Sequence, residues 1–338
     1  MARYVILGTG AIGGGIGGRL AQAGVDVVWV ARGEQSRVLR ESGLTVRTPD
    51  ETIHATAPVW SGPEEAHLTL EDVLVVAVKT QQVVDLLATW ADVPVETPEG
   101  VRPAGAVLPI VLATNGVAAE DLALRWFRRV FGMYLWMPVT YLTPGEVIAP
   151  MAPHTGEMLV SRVPAALTDD DDRALLAQLE RDWETAKLDV TLPDDVMPWK
   201  YRKLISNIGN VFEALLGPGP RGDLLDAAVA EARGVLDVAG IDVTSDDEEA
   251  TFRQAGSNPA PVPGNPETGS STWQSMRKGG SLETDYLNGE IAAIAARIGS
   301  DAPLNARLAS LARRAAAAGR QPGSMTLHEL EEELGLPG

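Results

Sequence analysis

Arg3–Gly15 reads RYVILGTGAIGGG, and its reading decides the fold. The short apolar run YVIL fits a strand buried on both faces of a sheet. Gly8, Gly10 and Gly13 follow it in G-x-G-x-x-G spacing, and Ile12 to Ala23 continues as a helix. A strand, a glycine turn and a helix opening a βαβ unit form a dinucleotide-binding signature. Gly8 permits the tight turn, Gly10 lets a pyrophosphate approach the backbone, and Gly13 lets the helix pack closely. The helix N-terminus adds N–H donors and the positive end of its dipole. Gly8, Thr9, Gly10, Ala11, Ile12 and Gly13 are therefore the expected cofactor-binding loop.

Outward from this loop, VDVVWVAR (25–32) is a second strand, and VLVVAVK (73–79) and AVLPIVLATNG (106–116) are two more. Continuous apolar strands separated by helices predict a doubly wound parallel sheet. NAD enzymes usually place an acid at the end of the second strand to hold the ribose hydroxyl. Here the strand ends in Ala31 and Arg32, with Glu34 two residues on. A guanidinium at that point suits a 2′-phosphate, so NADPH is the expected cofactor. Lys79 and Asn115 end the next two strands, on the rim where open α/β sheets bind ligands. MYLWMPVTYL (133–142) and GEMLVSR (156–162) read as antiparallel strands closing the sheet. TDDDDRALLAQLERDWETA (168–186) reads as an amphipathic helix capped by Thr168, its acidic run suited to the helix dipole.

After LDVTLPDD (188–195) the chain turns helical. The expected organisation is a Rossmann-type NADPH-binding domain over 1–194 and an all-helical substrate domain over 195–338. A Pro-rich stretch, SNPAPVPGNPETGSS (257–271), interrupts the helical half. It is long enough to serve as a lid or binding loop, or to be a plain insertion.

Bulk properties narrow the function. The 338 residues carry a net charge of -18, which argues against nucleic acid or an anionic membrane as partner. An anion site must be a local basic pocket. The absence of cysteine excludes disulfides, thiolate nucleophiles and Cys-ligated zinc, and His54, His67, His154 and His328 have no ligand spacing. No metal is expected. No run approaches the ~20 apolar residues of a membrane span, and the N-terminus reads as a first strand, not a signal peptide. A cytoplasmic location is expected.

The chain uses five lysines against 23 arginines, and two of the five lie in MPWKYRKLISNIGN (197–210). On one helical wheel Lys200, Lys203, Asn207 and Asn210 span an arc of about 80°. Leu204, Ile208, Val211, Phe212 and Leu215 fill the adjacent arc. Two asparagines are poor helix formers and need another reason to be there. Lys203 and Asn207 are the main candidates, and Lys200 is expected at the rim or surface. In LETDYLNGEIAAIAARIG, Leu287, Ile291, Ile294 and Ile298 form an apolar stripe with Glu283 on the same face. A carboxylate there is costly unless paired, and Lys203 is its expected partner. Ser271, Gln274, Ser275 and Lys278 form a further polar face. Ser271 suits either a hydrogen bond to an anionic substrate or a helix cap.

These motifs together resemble the ketopantoate reductases and related 2-oxoacid reductases over nearly the whole chain. GTGAIGG, VAVKT, ATNG, YRKLISN, SSTWQS, LETDYLNG and SDAPLN occur in the family's order, with twelve residues from Ser271 to Glu283. The resemblance implies that Lys203 is the general acid protonating the carbonyl oxygen as NADPH delivers hydride. It implies that Asn207 and Ser271 hold a small-molecule carbonyl substrate and that Glu283 pairs with Lys203 or contacts the substrate side. Asn115 would bridge cofactor and substrate, and Lys79 would contact the cofactor. A homodimer through the helical domain is implied too. Two departures stand out. Ser275 replaces the aspartate after the serine motif. The family's second helix asparagine is Val211, with Asn210 one place earlier. Such amides hold the hydroxyl of ketopantoate, so another 2-oxo acid or related ketone is the expected substrate. Ketopantoate reductase proper, an imine reductase and a non-catalytic NADPH-binding protein are the alternatives.

Overall fold

The computed structural model describes residues 2–219, 221–265 and 269–335. Its Cα positions group into two compact units. One comprises Met1–Asn115, Ala119–Met197 and Asp246–Asn265. The other comprises Gly116–Ala118, Pro198–Ser245 and Pro266–Gly338.

The first unit is built on an eight-stranded sheet. Its strands are β1 (Arg3–Leu7), β2 (Val27–Val30), β3 (Val59–Trp60), β4 (Asp72–Val76), β5 (Pro109–Leu112), β6 (Arg129–Trp136), β7 (Gly156–Val163) and β8 (Leu188–Thr191). Their order is β8-β7-β6-β5-β4-β1-β2-β3. Every neighbouring pair is parallel except β6 with β7. The expected doubly wound α/β fold is thus observed. The antiparallel pair does not end the sheet, because β8 adds to β7. Tyr4, Val5, Ile6 and Leu7 of β1 are all fully buried, as a strand covered on both faces requires. The strand order reverses between β1 and β4, which makes the crevice above their carboxyl ends the topological switch point.

Helix α1 (Ala11–Gln22) carries five glycines, at 13, 14, 15, 17 and 18. Each costs about 0.5–1 kcal/mol of helix propensity relative to alanine. Packing on two sides offsets that cost. A Cβ at Gly17 would lie 2.7 Å from Nε1 of Trp29 on β2. Cβ atoms at Gly14 and Gly18 would lie 2.7 Å from Val147 and 2.5 Å from Val46. Those two valines belong to a small second sheet of Leu44–Arg47, Thr52–Ala55 and Glu146–Ile148, which the sequence did not suggest.

Helix α2 (Gly33–Ser42) follows β2, and helix α3 (Asp170–Thr185) links β7 to β8. The cap of α3 is Asp169, not Thr168. The Asp169 carboxylate accepts from Asp172 N at 2.8 Å, whereas the Thr168 hydroxyl donates to Ala165 O at 2.7 Å in the preceding turn. The acidic run is structural: Asp172 is buried and paired with Arg129 at 2.8 Å and Arg162 at 3.1 Å.

The helix Asp246–Ala255 also belongs to the first unit. Its Glu249 carboxylate accepts from Tyr134 of β6 at 2.9 Å and from Arg253 at 2.6 Å. Arg253 lies 4.0 Å over the Trp136 ring. The Pro-rich stretch then stays with this unit as far as Asn265. Asn258–Pro259 pairs with Met151–Ala152, and Ser257 donates its N–H to the Glu157 carboxylate. Residues 266–268 of that stretch lie outside the described residues.

Burial and neighbouring carboxylates set an alkaline limit on stability. Burial, followed by a 2.8 Å hydrogen bond to Asp182, raises the Tyr4 phenol above its ordinary value. Burial likewise raises Tyr134. A raised folded-state value means that both phenols contribute stability below the ordinary tyrosine value of about 10, and that this is lost as pH rises above it. Thermal melts of Tyr4→Phe and Tyr134→Phe are expected to lose less stability than wild type between about pH 9 and 11. Equal alkaline slopes would contradict this.

The described residues of the second unit form helices and connecting turns. They include α4 (Met197–Asn207, from Pro198 onward), α5 (Asn210–Leu216), α6 (Leu224–Val238) and the helices Ser271–Arg277, Asn288–Arg297 and Pro303–Ala317. No helix among the described residues is long and apolar enough to cross a membrane.

Candidate active site

The glycine loop has the form a dinucleotide needs. Gly8 sits at φ +105°, and a Cβ there would lie 2.5 Å from Val78. A Cβ at Gly13 would lie 2.1 Å from the Gly8 carbonyl oxygen. At Gly10, by contrast, a Cβ would meet nothing within 4 Å, so the space above the loop is open to a ligand. The first intrahelical bond runs from Gly14 N to Gly10 O, which leaves the N–H groups of Ala11, Ile12 and Gly13 available as donors. Thr9 is committed elsewhere: its N–H and hydroxyl both donate to Val30 O, at 3.0 and 3.2 Å. They tie the loop to the end of β2.

Arg32 follows β2 and caps α2 by its backbone. It is exposed, and its guanidinium makes no hydrogen bond or ion pair with any described residue. Glu34 does not neutralise it. Arg37 takes the Glu34 carboxylate at 2.6 Å and holds it below its ordinary range. Lys79 lies just beyond β4 and is half-buried. The Thr80 hydroxyl donates to Asn115 O at 3.1 Å, which brings the ends of β4 and β5 together. Lys79 and Asn115 therefore share one rim of the sheet, next to the glycine loop on β1.

The second unit holds the other candidates. Lys203 and Asn207 lie one turn apart on α4, on one face. The Asn207 side-chain carbonyl accepts from Asn210 Nδ2 at 3.3 Å. Asn207 Nδ2 is buried and has no hydrogen-bond partner among the described residues. Two readings need correction. Lys200 is not at the surface: it is 3% exposed, because it lies four residues from fully buried Leu204 on the same face. Nor do the four polar residues share one helix. Ile208 and Gly209 form a turn between α4 and α5, where weak helix formers end the first helix. The single wheel therefore fails beyond Asn207. Val211, one place past Asn210, is fully buried in the core.

Ser270, not Ser271, caps the helix Ser271–Arg277, accepting from Trp273 N. Ser271 is exposed at the first helical position. Ser275 is buried, and its hydroxyl donates to Ser271 O at 2.8 Å. Glu283 is 8% exposed. It precedes a short 3-10 turn and is not on the helix that carries Ile291 and Ile294, because Leu287 breaks the helical path with φ -115°, ψ -93°. Ile298 lies beyond that helix and is 38% exposed. Lys278 is also exposed.

Two supporting groups escaped the motif reading. Gln35 of α2 donates to Thr9 O at 2.8 Å and so braces the glycine loop. Its carbonyl accepts from Tyr141 and from Gly145 N. Asn288 and Asn305, in the LETDYLNG and SDAPLN motifs, are fully buried. Asn288 donates to Asn305 at 3.0 Å, and Asn305 donates to Ala228 O and Glu231. Their isolated amides at helix starts were the available signal, but not the partners.

Known proteins match the chain in both family and fold. Residues 4–158 match the family model described as ketopantoate reductase PanE/ApbA, and residues 195–316 match the model of its C-terminal part. The chain belongs to the ketopantoate reductase family. A 2-dehydropantoate 2-reductase from Nostoc sp. is 28% identical over 209 residues, which is 61% of this chain and 60% of that protein. That alignment spans less than two thirds of the relative's length. A ketopantoate reductase structure from Ralstonia eutropha superimposes with TM-score 0.73 at 22% identity, covering 94% of this chain and 99% of that one. A D-mandelate dehydrogenase solved with NADH and anilino(oxo)acetate superimposes with TM-score 0.74 at 18% identity, with the same coverage. The two structures share the fold of this family member.

Proposed function

We propose that this ketopantoate-reductase family member is an NADPH-dependent oxidoreductase that reduces a 2-oxo acid or related ketone, with Lys203 as general acid. The observation that carries the reading is the buried Asn207 amide N–H2, which has no acceptor among the described residues and sits one turn from Lys203. Leaving such a donor unmet costs about 1–3 kcal/mol. A carbonyl or carboxylate oxygen is the acceptor this face calls for.

In this reading residues 1–194 hold the dinucleotide and 195–338 hold the substrate, except Asp246–Asn265, which group with the sheet. Gly8 to Gly13, Arg32 and Lys79 grip the cofactor, and Asn115 serves its nicotinamide end. Bound there, a reduced nicotinamide dinucleotide supplies a hydride to the substrate carbonyl carbon. The Lys203 ammonium gives its proton to the carbonyl oxygen and steadies the charge developing on it. Asn207 and Ser271 hold substrate oxygens, and Glu283 keeps Lys203 oriented.

Val211 lies in the core and the Ser275 hydroxyl is bound to backbone. Neither offers the polar group that would hold a substrate hydroxyl in a ketopantoate pocket. This favours a 2-oxo acid lacking that hydroxyl, in line with the oxoacetate in the D-mandelate dehydrogenase structure. The curated relatives' name favours ketopantoate itself. Steady-state NADPH oxidation against ketopantoate, pyruvate and phenylglyoxylate separates the two readings. No turnover of any 2-oxo acid would refute both.

The unpaired Arg32 supports NADPH over NADH. A charge-assisted bond of about 1.5–3 kcal/mol to the 2′-phosphate corresponds to roughly 10–150-fold in affinity. Arg32→Ala is expected to weaken NADPH by that factor and to leave NADH nearly unchanged, measured by fluorescence titration. Equal losses for the two cofactors would overturn the assignment.

A further inference from the structure

The helical unit has a cavity of about 290 Å³ on a different side of α4 from Lys203 and Asn207. Arg202 and Ser206 line it, each displaced by about 100° around the helix from Lys203 and Asn207 respectively. Arg221 and Arg233 line its opposite wall, on and just before α6. Three guanidiniums thus share the lining with two carboxylates, Glu213 and Asp226. One of those carboxylates, Glu213, already accepts from Ser270 N at 2.9 Å.

Arg221 carries the argument. It is half-buried, and its guanidinium has no hydrogen bond or ion pair with any described residue. Its Nη1 lies 3.7 Å from the point where a Cβ on Gly209 would be, so it rests over the α4–α5 turn. Partial burial of a charge is costly without a counter-ion. The guanidinium fork matches the paired oxygens of a carboxylate or phosphate. The chain's net charge of -18 does not forbid an anion here, because charges beyond about 10 Å are largely screened at 0.1 M salt. Leu225 and Val229 supply an apolar wall for a small carbon body.

We propose that this cavity binds a small organic oxyanion, its carboxylate or phosphate held by Arg221 and Arg233. Lys203 does not line the cavity, although Asn210, whose amide donates to Asn207, does. Isothermal titration of the full chain with malonate in one arm and inorganic phosphate in the other tests it, with NADP+ present so that the glycine loop and Arg32 do not report. Saturable one-site binding of at least one probe is expected, weakened tenfold or more in Arg221→Ala and in Arg233→Ala. Asp226→Asn, at an exposed position, removes a competing carboxylate and is expected to tighten binding several-fold. Absence of saturable binding by both probes overturns the proposal. So does binding that is unchanged in Arg221→Ala, or that is lost in Arg32→Ala. Affinity that does not rise in Asp226→Asn counts against it as well.

Discussion

Lys203→Ala is expected to lower kcat by about 10²–10⁴-fold, the range that a positioned general acid contributes, while dinucleotide affinity stays within a factor of two or so of wild type. The separation follows from the two roles. Lys203 lies in the helical unit, and the groups assigned to the dinucleotide lie on the sheet. Losing a proton donor used only in the transition state lowers kcat and kcat/KM together. Lys203→Arg refines the test. It keeps the positive charge, but a guanidinium holds its proton far more tightly than an ammonium. Activity near wild type in Lys203→Arg would mean that charge alone is needed, and full activity in Lys203→Ala would end the mechanism. Asn207→Ala tests the neighbouring amide. It removes a buried donor with no partner among the described residues, so its main expected effect is a raised KM for the 2-oxo acid, with little loss of stability.

Gly13→Ala is expected to abolish measurable dinucleotide binding, a loss of roughly 100-fold or more, equivalent to about 2.7 kcal/mol. The new methyl would lie 2.1 Å from the Gly8 carbonyl oxygen, 2.9 Å from Ile6 and 3.0 Å from Ala77. Ile6 is on the central strand, fully buried, and cannot yield. The loop at Gly8 must move instead, and with it the N–H donors at the start of α1. Overpacking of this kind also costs about 1–3 kcal/mol of stability. Gly10→Ala is the informative partner. Its Cβ meets no protein atom within 4 Å, so the variant should melt like wild type yet still bind NADPH poorly, because the methyl enters the ligand's space. Calorimetric titration and thermal melts of both variants check this. Wild-type affinity in Gly10→Ala would remove the pyrophosphate from that position.

Much of the first unit was legible because its signals are local. A buried strand, a glycine turn and a helix are each written in fewer than about a dozen consecutive residues. A strand's carboxyl end follows from where its apolar run stops, so Arg32, Lys79 and Asn115 could be set at the rim before any contact was known. The helical unit was harder to read. A wheel assumes an unbroken helix, and Ile208–Gly209 break this one, so Asn210 stands on a different helix from Lys203. Glu283 was expected in register with Leu287, yet it is buried in a turn of its own. The cap at Asp169 was missed by one residue because either neighbour could serve in isolation.

The sequence by itself determined the doubly wound sheet, the glycine loop at its switch point and the scarce lysine on a helix after residue 194. Periodicity and turn chemistry act over a few residues and need no distant partner. Only the tertiary structure decided that Lys200 is buried and that Glu34 belongs to Arg37 and leaves Arg32 unpaired. It alone brought Gln35 against the glycine loop, returned the Asp246–Ala255 helix to β6 and gathered three arginines around one cavity. Each of these outcomes depends on which side chains meet across long stretches of chain. Charge pairing and burial there are set by packing geometry, which no local pattern encodes.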